Sequence, residues 1–172
     1  MTCSGQKRSA IGVVAVVLTL VVGGCAAPGP SPEQQAAIEK AVGGYLGALA
    51  MSYSTLDLSH LDGHASPVEV SNVRGLLRQL ANTGDRLEAT LVGIEITSVD
   101  VFREVNASVA LVEVWDLVRY DPLTGREKGR TDGSVQSTLI QLRLIDGTWL
   151  VVGRHIVDRE TGGDLDDGGV QG

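Results

Sequence analysis

Apolar residues in the first third of the chain recur at steps of three and four: Ile38, Val42, Tyr45, Leu49, Tyr53 and Leu56. That spacing lines one side of an α-helix. In front of it, Ser31-Pro32-Glu33-Gln34 offers an N-cap serine, a proline at the first helical position and a glutamine at capping-box distance. Gly43, Gly44 and Gly47 interrupt the helix, each costing about 1 kcal/mol against alanine, which points to close approach by another element. A polar, turn-rich stretch from Asp57 to Ala65 follows, and then Ser66-Pro67-Val68-Glu69 repeats the helix-start device. Val70, Val73, Leu76 or Leu77, and Leu80 make the second apolar stripe, and Gly84 is placed as its C-cap.

Beyond Arg86 the period falls to two and β-branched residues become frequent, which predicts strands at Leu87–Phe102, Ala107–Tyr120, Val135–Ile145 and Trp149–Val157. Short turns at Arg103–Asn106 and Asp146-Gly147, and a longer polar loop opening at Asp121, make consecutive strands antiparallel. Helices followed by an antiparallel meander give an α+β domain over residues 32–157, its N-terminal helices packed on one face of a curved sheet.

The leader is read differently. Lys7 and Arg8 precede an apolar run from Ala10 to Val22, the charge and length pattern of a secretory signal peptide. Those 13 residues fall short of the ~20 that span a bilayer. The run closes on Val22-Gly23-Gly24-Cys25, which resembles the lipobox of bacterial lipoproteins: small side chains before the cut, and a thiol after it to carry the lipid. Residues 1–24 are then a removed leader, Cys25 is the fatty-acylated (palmitate-type) mature N-terminus, 25–31 a tether, and 158–172 a flexible acidic Gly/Asp tail. The expected location is extracytoplasmic, lipid-anchored to a bacterial cell membrane or outer membrane. Cys3 leaves with the leader, so no thiol remains for catalysis, a metal or a disulfide.

Composition narrows the function classes. With 14 Lys+Arg against 21 Asp+Glu and a net charge of -7, the chain lacks the basic surface that nucleic acid requires. The same balance means that acyl chains, not attraction to anionic lipid, must hold it to the bilayer. Aromatic residues are 3% of the chain, too few for stacking platforms.

The order of a long capped helix, a polar turn at Leu56–Leu61, a second helix ending at a glycine and long antiparallel strands closing on Gly147-Thr148-Trp149-Leu150-Val151 resembles the nuclear transport factor 2-like (SnoaL-like) domains. Ser108 to Tyr120 with the polar loop after it is also similar to the intermembrane-space domain of chloroplast division proteins. The resemblance implies a cystatin-like cone. It leaves function open, because the family holds isomerases, dehydratases and epoxide hydrolases beside non-catalytic binding modules.

Chemistry on such a cone needs ionisable groups turned into the pocket. Tyr45, Tyr53, Asp57, His60, Glu113, Asp116 and His155 are available, and Tyr45, Tyr53, Asp57 and His155 form the candidate pocket set. No acid–base pair, nucleophile triad or phosphate-cradling glycine loop can be assembled from them. His60 and His64 are separated by the turn residues Asp62 and Gly63, and Asp164, Asp166 and Asp167 lack calcium-loop spacing. Neither a metal nor a cofactor is therefore expected.

The second strand is apolar on both sides: Val109, Leu111, Trp115 and Leu117 with Glu113 on one, Ala110, Val112, Val114 and Val118 with Asp116 on the other. Helices cover one side of a sheet. The other, with Val112, Val114 and Val118 as candidate interface, is covered either by the sheet curling on itself or by a partner, a second copy or another envelope protein. A non-catalytic binding or assembly module is the preferred reading, and a small-molecule pocket or isomerase/hydrolase-type enzyme the alternative. If the lipobox is used, Cys25→Ala abolishes incorporation of a labelled fatty-acid analogue and leaves the precursor unprocessed, seen as an unshifted band on gels.

Overall fold

The computed structural model describes residues 29–160; the leader, Cys25 and residues 161–172 lie outside them. The order of elements is α1 (Pro32–Thr55), a 3₁₀ turn (Leu58–Leu61), α2 (Pro67–Thr83), β1 (Arg86–Phe102), β2 (Asn106–Tyr120), β3 (Glu127–Ile145) and β4 (Thr148–Glu160). Both helices start as their caps dictate: Ser31 accepts from the Gln34 amide and Ser66 from the Glu69 amide, with proline at the first position of each. Gly84 ends α2 with φ +65, a conformation glycine adopts without a steric penalty.

The strands form one antiparallel sheet in the order β1-β2-β3-β4, with both helices on the same face. Ile38, Val42, Leu46 and Leu49 of α1 pack against Val109, Leu111, Ile140, Leu142 and Val151 to make the core. Gly44 is where another element comes close. A Cβ there would lie 2.9 Å from the His64 ring. Gly43 and Gly47 have open space around them, so no such approach explains those two.

The expected curved, cystatin-like cone is not formed. The sheet is open: β1 hydrogen-bonds along its length only to β2, and β4 only to β3, apart from a parallel bridge between Ala65 and Val151. Four strands are too few to close around side chains, since about eight are needed before a barrel interior accommodates them. The helices fill the space instead.

β3 also begins earlier than its apolar pattern indicates, at Glu127 in place of Val135. The polar stretch Glu127–Gly133 is carried by backbone pairing, Tyr120 opposite Glu127 and Val118 opposite Arg130. Ion pairs of Lys128 with Asp85 and of Arg130 with Glu127 accompany it.

Irregularities in register decide which side chains face the helices. Gln141 is opposite Gly153 and Leu142 opposite Val151, so Val152 is an extra residue in β4. One added residue exchanges the faces of everything after it. Trp149 and Val151 point to the helices before the bulge, and Arg154 and Ile156 do so after it, while His155 is exposed on the opposite face. Val92 and Thr97 are skipped in the pairing of β1 in the same way.

Candidate functional site

Two buried polar clusters lie among the apolar side chains between helices and sheet. In the first, the Glu113 carboxylate is fully buried on β2. It accepts from Trp115 Nε1 at 2.6 Å, from Arg154 Nε at 3.2 Å, and from Arg154 Nη2 at its other oxygen. Arg154 Nη2 also donates to Gln136 Oε1 at 3.3 Å. Burial alone would pull the Arg154 guanidinium down. The hydrogen bonds and charge of Glu113 outweigh it and raise Arg154 above the usual arginine value.

In the second cluster the Tyr45 hydroxyl donates to Glu69 Oε1 at 2.6 Å, and Asn72 donates to Glu69 Oε2 at 3.0 Å. This joins α1 to α2. In a complete capping box Glu69 would reach back to the Ser66 amide, but that amide donates to Val151 O at 2.8 Å. The carboxylate is thereby left for Tyr45. Burial first, then the negative charge and hydrogen bond of Glu69, push the Tyr45 phenol far above its ordinary 10.0.

Beside the first cluster is a cavity of about 360 Å³, between the C-terminal parts of the helices and the sheet. Leu49, Leu80, Leu87, Leu117 and Ile156 supply its apolar wall, and Tyr53, Gln136, Trp115 and Arg154 its polar side, with Asp85 and Arg119 also lining it.

Of the four candidate pocket residues, Tyr53 lines this cavity. Tyr45 is enclosed in the core. Asp57 is exposed; the backbone N–H of Ser59, and then its hydroxyl, hold the Asp57 carboxyl below the ordinary carboxylate value while it caps the 3₁₀ turn. His155, exposed and turned to the far side of the sheet, does not join them. Asp116 accepts from the amide of Gly133 at 2.7 Å, where two residues of β3 are skipped in the pairing with β2. His60 belongs to the 3₁₀ turn, and no cluster of three metal-ligating side chains occurs among the described residues. Glu69, Gln136 and Arg154 are the polar residues that sequence patterning did not select.

On the other face, Val112 and Val114 are half-buried and Val118 is buried. Their cross-strand neighbours are Glu95 and Ser137, Gly93 and Val135, and Glu88 and Arg130. Among the described residues neither helix reaches this side of the sheet, and no helix is long and apolar enough to cross a membrane.

No family model matches the sequence, and no curated protein does. The structure is similar to the intermembrane space region of the chloroplast protein ARC6, with a TM-score of 0.62 at 13% identity over 74% of this chain and 98% of that one. The likeness read from Ser108–Tyr120 thus has a counterpart in three dimensions, as a shared fold. Aln2 from a Streptomyces species (TM-score 0.48, 11% identity, 75% and 93% covered) and a protein of Nostoc punctiforme with a cystatin-like fold (0.42, 13%, 75% and 93%) lie further off.

Arg154→Met should leave the Glu113 carboxylate buried without its cation, lowering stability by about 3–5 kcal/mol, and adding Glu113→Leu should recover most of the loss. Urea unfolding of the two variants checks this. The raised Tyr45 phenol stays protonated in the folded chain when the unfolded chain starts to lose its proton, near pH 10. Stability should therefore fall as pH rises above that point. Tyr45→Phe should make the alkaline fall shallower and cost about 1–2 kcal/mol at neutral pH, because Glu69 loses a donor; denaturant midpoints across pH 7–11 measure both effects.

Proposed function

We propose that the chain is a lipid-anchored extracytoplasmic lipoprotein that works as a non-catalytic binding or assembly module, its outer sheet face taking a second copy or another envelope protein. The observation that carries this reading is the aliphatic row Ala110, Val112 and Val114 on a sheet face that no described element covers. Seating a partner there removes apolar surface from water at about 25 cal/mol per Å². The buried carboxylates support it from the other side. Glu113 is engaged by Arg154 and Trp115, and Glu69 by Tyr45 and Asn72, so neither is poised as a general acid or base.

Lys7 to Cys25 supports the anchored, extracytoplasmic part of the reading. The ARC6 region that shares the fold is an intermembrane space region, which fits a domain held outside a membrane. A second reading, a small-molecule pocket, is favoured by one feature: Tyr53, Gln136 and Arg154 meeting at an apolar cavity of about 360 Å³.

A photoreactive amino acid placed at Val112 or Val114 in living cells should give one discrete cross-linked species, whereas at Lys40 or Arg78, on the exposed sides of the helices, it should give none. Identical behaviour at all four positions would remove the sheet face as the interface and leave the cavity as the site to pursue.

A further inference from the structure

Both ends of the domain expose apolar side chains, Leu56 and Leu123 at one and Phe102 and Val105 at the other, but only the second pair sits beside the start of α1. The β1–β2 turn carries Phe102, the single phenylalanine of the chain, 73% exposed, and Val105, 43% exposed. Between them Arg103 and Glu104 both adopt positive φ, 51 and 61, a conformation non-glycine residues take only where neighbours hold it. Neighbours do hold it here. The Glu104 carbonyl accepts from Gln34 Nε2 in the first turn of α1 at 3.5 Å, and the Val105 carbonyl from the Leu144 amide at 2.8 Å. The turn therefore presents its apolar side chains from a fixed frame beside the start of α1.

That start is also where the tether arrives. Five residues lie between Cys25 and the Ser31 cap, so the six Cα-to-Cα steps span at most about 20 Å when fully extended. A lipid on Cys25 would keep this end of the domain within that distance of the bilayer. The other end holds the C-terminus of α1, Gly84 and Pro122, which meet around a second small hollow, and beside them Thr83, Asp85 and Arg119 of the large cavity.

We infer that the β1–β2 turn is a second membrane contact: Phe102 and Val105 enter the interfacial layer of the bilayer beside the acyl chains, orienting the domain with its cavity away from the membrane. An apolar side chain at a headgroup boundary gains by leaving water, and two weak attachments hold an orientation that one does not. The contact is apolar in kind. Arg103 and Arg143 are offset by Glu33, Asp100, Glu104 and Asp146 at the same end, so the contact does not depend on anionic lipid.

This inference rests on the acylation of Cys25, and the experiment separates the two. Full-length Phe102→Trp and Leu123→Trp proteins, the latter altered at a 95% exposed site in the β2–β3 loop at the far end, are expressed in a bacterium and purified from its membranes. They are then placed in phosphatidylcholine vesicles with or without bromine on the acyl chains. Mass spectrometry of the N-terminal peptide reads acylation independently. Trp115 and Trp149 are buried and give the background, measured on the unsubstituted chain. On acylated protein the tryptophan at position 102 should lose roughly half its emission or more in brominated vesicles, equally at about 0.1 M and 1 M salt. The one at position 123 should not respond. Equal response at both positions, or quenching at 102 that disappears at high salt, would overturn the second contact and leave the anchor standing. An unmodified Cys25 would overturn the anchor and this inference with it.

Discussion

Glu113 lies on the side of β2 that the helices cover, and a carboxylate enclosed there without a cation costs several kcal/mol. The cation comes from β4, two strands away. Strands in a sheet are about 4.8 Å apart, so the guanidinium must cross β3 and span about 10 Å to reach Glu113. Arginine has the length and the planar fork for a two-point contact with the carboxylate, and Gln136 on the intervening strand steadies it on the way. The pairing therefore constrains three strands at once, and it requires the face of β4 that Val152 brings round.

The Tyr45–Glu69 bond performs the corresponding task for the helices. α2 makes limited contact with the sheet compared with α1, and its buried stripe is short. The phenol of α1 gives it a directional tie at its N-terminal turn. The backbone of His64 to Ser66, bonded to Val151, ties the same turn to β4. The two helices are thus fastened near the start of α2, and the cavity lies toward its other end, beside the first polar cluster.

Both helix starts and the antiparallel order were legible in the sequence, because Ser-Pro caps, glycine stops and Asp146-Gly147 act locally. The inner row of β2 was legible too, down to Glu113 as its one ionisable member. Its partner was not. Alternation read onward from Trp149 and Val151 places His155 inside and Arg154 outside, and one bulged residue reverses both. A lone carboxylate in an aliphatic row was a signal that hydrogen-bond donors or a cation had to meet it, but it did not say which or on which strand. Glu69 was hidden for a different reason: its position fits a capping box, and only the distant Val151 carbonyl diverts the Ser66 amide from it. Closure of the sheet was misjudged because strand length says nothing about whether the first and last strands will meet.

An open sheet has two margins, and each is an invitation for another strand to add on. β4 is guarded near its start, where Ala65 pairs with Val151. β1 relies on its own sequence: Val92 and Thr97 break its ladder, and Arg86, Glu88, Glu95 and Asp100 are spaced along it. Bulges and charges of this kind blunt strand addition and the fibrous aggregation that follows from it. That protection lets the sheet keep one face uncovered by helices while its margins stay closed to runaway growth.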